Sequence, residues 1–158
     1  MDFPQELSQA KRGNLGQLLF RCARLFNELA VERVQSGREP RFRVAHTSLF
    51  PHIDLEGTRL VDLAQRVGIS KQAVGQLVQE LEEMGTLTRE RDPDDGRAWR
   101  VRFSPQGQVA LLDGLALLRQ LEGEMAESLG GERCQRLIGD LEGLLEILEA
   151  RREDGSER

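Results

Sequence analysis

A mainly helical fold carrying one small β-hairpin is predicted by three features of the 158-residue sequence. Apolar residues recur at steps of three and four near both ends, two short helical periods meet at a Gly-containing turn mid-chain, and an Asp/Pro/Gly cluster then separates two extended segments. Composition narrows the function classes. A formal charge of −5 excludes a uniformly basic nucleic-acid coat, so any polyanion must meet a local basic patch. No apolar run reaches the roughly 18 residues of a membrane span, and Met1-Asp2-Phe3-Pro4 lacks the basic-then-apolar plan of a signal peptide, so a cytoplasmic protein with no membrane partner is expected. Cys22 and Cys134 are too few for a disulfide framework or a cysteine-rich zinc site. There is no Tyr, His46 and His52 are the only histidines, and no phosphate-cradling Gly loop, nucleophile elbow or paired-His zinc pattern occurs. Nothing therefore points to an enzyme, a metal site or a cofactor.

Taken in order, Leu15, Leu18, Leu19, Cys22, Phe26 and Leu29 fall on one face of a long helix. Gly37 and Pro40 end it in a loop, so residues 1–41 form an N-terminal helix and loop. A shorter helix is expected from about Phe42 to Ile53, with Pro51 near its end to bend or stop it. Leu60, Leu63, Ala64 and Val67 make the next apolar face, and Val74, Leu77, Val78 and Leu81 the one after. Between them, Gly68-Ile69-Ser70 supplies a flexible residue, a buried anchor and a capping oxygen. That is helix-turn-helix spacing, with the second helix running from about Ser70 to Met84.

Gly85 follows as a left-handed helix end. Leu87 to Arg91 reads as a strand, Asp92-Pro93-Asp94-Asp95-Gly96 as a turn, and Ala98 to Phe103 as the return strand, with Trp99, Val101 and Phe103 on one face and Arg100 and Arg102 on the other. A hairpin in that place is a wing, so residues 42–107 form a winged helix-turn-helix. Ser104-Pro105 caps and opens another helix, striped by Val109, Leu111, Leu112, Leu115, Leu118, Leu121 and Met125. Gly130-Gly131 interrupts it, and Cys134, Leu137, Ile138, Leu141, Leu144, Leu145 and Leu148 resume the spacing. Residues 108–150 are thus two further helices, and 151–158 a disordered polar tail. The terminal stripes exceed what one small winged core can cover, which predicts a two-fold homodimer built on the helices either side of that core.

From about Val44 to Gly107 the sequence resembles the MarR family of winged helix-turn-helix regulators. The resemblance rests on Glu56-Gly57-Thr58-Arg59-Leu60 with Leu63-Ala64, on Ser70-Lys71-Gln72-Ala73-Val74, on Leu81-Glu82-Glu83-Met84-Gly85, and above all on the wing Asp92 to Ala98 leading to Phe103-Ser104-Pro105-Gln106-Gly107. Ala45-His46 and Phe50-Pro51-His52 resemble one subgroup. Phe103-Ser104 stands where the family has Leu-Thr, Thr86 where it commonly has Tyr, and Gly96 where many relatives carry a second basic residue at the wing tip. The resemblance implies a dimeric, sequence-specific regulator of transcription that binds double-stranded DNA at a palindromic operator, a repressor released by a small aromatic acid or phenol.

On this reading the second helix of the pair lies in the major groove and presents Ser70, Lys71, Gln72, Gly75 and Gln76. Gln reads adenine, Lys and Ser hold phosphate, and Gly75 lets the backbone approach the duplex. Arg89 and Arg91 join them from the hairpin. The resemblance assigns Arg97 to the minor groove, with Asp95 orienting it; Arg100 and Arg102 touch phosphate or pair with acids. Arg24, His46 and His52 are the candidates for an anionic ligand in the seam between the long helices and the winged core. Cys22 lies on the apolar stripe and reads as a small buried hydrophobe, the rival being a redox-sensing thiol. The competing class is a winged-helix protein-interaction module that does not bind DNA.

Overall fold

In the computed structural model, which describes residues 2–37 and 39–156, the chain is mainly helical with one small sheet. Helices α1 (Phe3–Lys11) and α2 (Leu15–Gly37) come first. Helix α3 (Val44–Thr47) is followed by a 3-10 turn, Phe50–His52, and by strand β1 (Thr58–Arg59). The helix pair is α4 (Leu60–Val67) and α5 (Lys71–Glu83). The hairpin is β2 (Leu87–Arg91) and β3 (Trp99–Phe103), and α6 (Pro105–Leu129) and α7 (Gly131–Ser156) complete the chain. Two compact units divide after Gly114, within α6.

The first unit holds the winged core. Leu49, Leu63, Val74, Val78, Leu81 and Val101 are fully buried, joined by Ile53, Ala64, Leu77, Leu87 and Phe103. Apart from Leu49 and Ile53, which flank the 3-10 turn, these are the inward residues of both helical periods and of the hairpin, brought together by the turn at Gly68. That glycine ends α4 in the left-handed conformation, φ 77°, and Ser70 then caps α5 by accepting the Ala73 N–H at 3.1 Å. The wing is welded to the far end of α5. The Ser104 hydroxyl donates to the Gly85 carbonyl and accepts the Gly107 N–H at 2.8 Å. A Cβ on Gly107 would stand 1.8 Å from the Thr86 carbonyl oxygen, so only glycine fits there.

Three expectations need correction. The helix expected from Phe42 to Ile53 stops after Thr47, because Pro51 cannot donate and the chain tightens into the 3-10 turn. Strand β1 was not expected; it is two residues long and exists only by antiparallel pairing of Thr58 with Val101 and Arg59 with Arg100, giving the sheet order β1-β3-β2. Helix α7 continues through Ser156, so residues 151–156 are helical backbone; residues 157–158 lie outside the described residues. Helix α1 adds a segment that the periodicity did not mark, and none of its residues is buried.

The long helices are a different matter. Leu15, Leu18, Leu25 and Leu29 of α2 are exposed, as are Val109 and Leu112 on the first half of α6. In the second unit the same holds for Leu115, Leu118 and Met125, and for Leu137, Leu141, Leu145 and Leu148 of α7, while Leu121 and Cys134 are buried. Cys22 is exposed too, contrary to the buried hydrophobe expected, because most of its stripe is uncovered in a single chain, Leu19 and Phe26 being only partly buried. Among the described residues no helix is long and apolar enough to cross a membrane, and no group of three His, Cys, Asp or Glu side chains is placed to hold a metal ion.

Candidate nucleic-acid interface

Helix α5 buries Val74, Leu77, Val78 and Leu81, which leaves Lys71, Gln72, Gln76 and Gln79 exposed with Gly75 partly buried beside them. Lys71 opens the helix and has no hydrogen-bond or ion-pair partner among the described residues. It adds a full charge where the helix already carries its positive end. Ser70 spends its oxygen lone pair on the cap and keeps its O–H for donation. Gly75 has no packing reason to be glycine, since a Cβ there would meet nothing within 4 Å.

In the wing the organising residue is Asp92, which was not among the expected site residues. Its side chain is fully buried, yet it sits among cations: Arg59 donates at 2.7 and 3.1 Å, and Arg100 at 3.1 and 3.3 Å. The backbone N–H groups of Asp94 and Asp95 donate to Oδ1 at 2.9 and 3.0 Å. Arg59 foremost, then these N–H groups and Arg100, hold the Asp92 carboxyl far below the ordinary carboxylate range. The first Asp of Asp-Pro-Asp-Asp-Gly is the position from which an aspartate side chain closes a turn on its own backbone, so that signal was present. Its partner Arg59 was not findable, because β1 leaves no pattern.

The structure also redistributes the expected arginines. Arg89 pairs with Glu82 of α5 at 2.6 Å, tying the wing to the helix rather than standing free. Arg91 lies over the half-exposed Trp99 ring, 4.1 Å from its centroid, and donates to the Gly96 carbonyl. Trp99 shares the inward face of Val101 and Phe103 but lies beyond the end of the core. Arg102 pairs with Glu90, and Arg100 with Asp92, as the acid-pairing alternative had it. Asp95 accepts the backbone N–H of Arg97 at 3.0 Å, so it shapes the turn and does not hold the guanidinium. The Arg97 side chain is exposed and has no partner among the described residues.

Residues 42–107 hold nine basic and ten acidic residues. After pairing, the cations of this stretch left without an acid among the described residues are Lys71 at the start of α5, Arg97 at the wing tip, and Arg91 on its aromatic shelf. The local basic patch that an acidic chain requires therefore lies at the mouth of α5 and along the wing.

Residues 53–98 match the sequence model of the MarR family. Over that stretch the winged core is similar in sequence to the MarR family. Its fold is similar to that of wild-type MarR from E. coli, at 19% identity over 84% of this chain and 96% of that one, with a TM-score of 0.71. The transcriptional regulator BldR from Sulfolobus solfataricus is 27% identical over 94% and 99% of the two chains, with a TM-score of 0.66. MepR, a transcription regulator of the Staphylococcus aureus multidrug efflux pump MepA, shares 14% identity over 85% and 98%, with a TM-score of 0.64. No curated protein sequence matches. With this winged helix-turn-helix and that match, the molecule has the architecture of a DNA-binding regulator.

The expected ligand residues are not assembled for that task. Arg24 pairs with Glu28 at 2.8 Å. His46 is fully buried: its Nδ1 accepts the Arg43 N–H at 3.0 Å, so Nε2 carries the proton and donates to Glu80 of α5 at 2.8 Å. Arg43 pairs with the same carboxylate oxygen. His52 is half-buried, and its carbonyl accepts from Arg66 at 3.0 Å. No hydrogen bond or ion pair joins any two of the three among the described residues.

Proposed function

We propose that the protein is a dimeric repressor that binds palindromic double-stranded DNA, with α5 in the major groove and the wing against the minor groove. The observation that carries this reading is the survival of unpaired positive charge at Lys71 and Arg97, while almost every other cation of the winged core is matched by an acid. A random surface would not reserve its free charge for the helix mouth and the wing tip. Ser70, Lys71 and Arg91 hold phosphate, Gln72 and Gln76 read base edges, and Arg97 senses minor-groove shape. The exposed stripes of α2, α6 and α7 close on a second copy, which sets two α5 helices about 34 Å apart, one turn of duplex.

Release by a small aromatic acid remains part of the proposal, at a cost the geometry defines: an anion engaging His46 must displace Glu80, and one engaging Arg24 must displace Glu28. A ligand lowers DNA affinity only by its preference for the non-binding arrangement. Fluorescence of Trp99, the one tryptophan of the chain and part of the wing, tests the reading directly. Titration with duplexes enriched from a random library should change its emission and saturate at one dimer per palindrome. Enrichment of no duplex would favour the protein-interaction module. Loss of binding on mild oxidation in the parent but not in Cys22→Ser would make the exposed thiol the sensor.

A further inference from the structure

Glu80 sits one helical turn beyond Gln76 on α5, and its two oxygens have different duties. Oε2 receives the buried His46 Nε2–H at 2.8 Å and also pairs with Arg43. Oε1 is left to receive the Gln76 amide nitrogen at 3.3 Å. His46 first, then Arg43, hold the Glu80 carboxyl below its ordinary value, so it is an ionised, acceptor-only group throughout the neutral range. An amide beside such a group has one favourable orientation, NH2 toward the carboxylate and oxygen away. We propose that Glu80 is a specificity-determining residue: by fixing the amide of Gln76, it makes that side chain present an oxygen to the duplex and so selects a base bearing an exocyclic amino group, adenine or cytosine, at one position of each half-site.

The base chemistry follows from the major-groove edges. Adenine N6 and cytosine N4 donate, whereas guanine O6 and thymine O4 accept and would face the Gln76 oxygen acceptor to acceptor. The inference rests on α5 entering the major groove. It also explains why Glu80, an acid on a helix meant for a polyanion, is retained there with two cationic or donating partners behind it. His46 and Arg43 hold Glu80 from α3 and its leading residue, so the recognition surface is braced from outside its own helix.

The test is selection of duplexes from a random library by the full-length protein, followed by affinity measurements on the selected duplex. Wild type should enrich a palindrome with A or C over G or T, by roughly tenfold, at a position whose preference Gln76→Leu abolishes. Glu80→Gln keeps an oxygen for His46 but turns its own NH2 toward Gln76, which must flip its amide. That variant should reverse the preference at this position toward G or T and leave the other positions as they were. A second arm needs no variant: wild type on a duplex lacking the 6-amino group of the selected adenine, or the 4-amino group of the selected cytosine, should lose about the same tenfold. An unchanged preference in Glu80→Gln, or indifference to the missing amino group, overturns the proposal while DNA binding stands. Enrichment of no duplex by wild type overturns the DNA-binding reading and the proposal together.

Discussion

The winged core and the long helices share the same residue types at the same spacing and bury them to opposite extents. Leu63 and Leu81 have no exposed surface, whereas Leu15 is 58%, Leu112 67% and Leu145 55% exposed. In the core, the turn at Gly68 and the wing returning through Ser104 fold apolar faces onto each other within some fifty residues. Most of the stripes of α2, α6 and α7 meet no such cover, Leu121 and Cys134 being the buried exceptions. Helical periodicity therefore states which side of an element is to be buried, and the connections decide whether one chain can do it.

The largest effects should separate these two regions. Leu81→Ala, in the closed core, should lower stability by about 2–5 kcal/mol and abolish DNA binding together with the fold, as read by thermal melting. Leu141→Asp should leave the winged core folded but shift the protein from dimer to monomer in sedimentation at micromolar concentration, with affinity for a full palindrome falling toward that for a half-site. A stable dimer in that variant would break the comparison.

Asp92→Asn sharpens it from the DNA side. The change leaves Arg59 and Arg100 without their common acid, so the wing loses its fixed shape and duplex affinity drops for all sequences, more than for Arg97→Ala. The pH dependence has a defined sign. Because the Asp92 and Glu80 carboxyls are held below their ordinary values in the fold, the unfolded chain binds more protons in acid. Their stabilisation is complete above the unfolded values near 4 and is lost as pH falls through the folded ones. Asp92→Asn should flatten that acid limb and lower stability by a constant amount between pH 6 and 8, with no change of slope there. The smallest effect is Gly75→Ala, which should raise stability by up to about 1 kcal/mol, since a helical glycine with open space around it is a liability. The same variant should bind DNA less tightly if the backbone lies against the duplex.

Much of the fold was legible. The cap at Ser70, the end of α5, both hairpin strands and the opening of α6 at Pro105 carry local signals that the structure reproduces within a residue or two. What escaped had no local signal: β1 is defined by its partner strand, and α1 has no buried face to impose a period. The candidate site was legible in its outline and not in its electrostatics. Sequence placed Arg89, Arg91, Arg97, Arg100 and Arg102 in one hairpin, but only the cross-strand register and the approach of Glu82 decide which are neutralised. His46 shows the same limit, since its burial and its bond to Glu80 join residues 34 apart in sequence.

The salt dependence of duplex binding tests the central claim most directly, because each phosphate held by a free cation releases a counterion. With Lys71, Arg91 and Arg97 the cations left without an acid in each winged core, a dimer engages about four to six phosphates, and log K against log salt should fall with a slope of roughly −3.5 to −5.5. Lys71→Ala should reduce the magnitude of that slope by about 1 for each contact removed, two per dimer. A slope of roughly −10 or steeper would show that the paired arginines abandon their acids for DNA, and a slope near zero would show that these cations do not meet phosphate at all; either result contradicts the account.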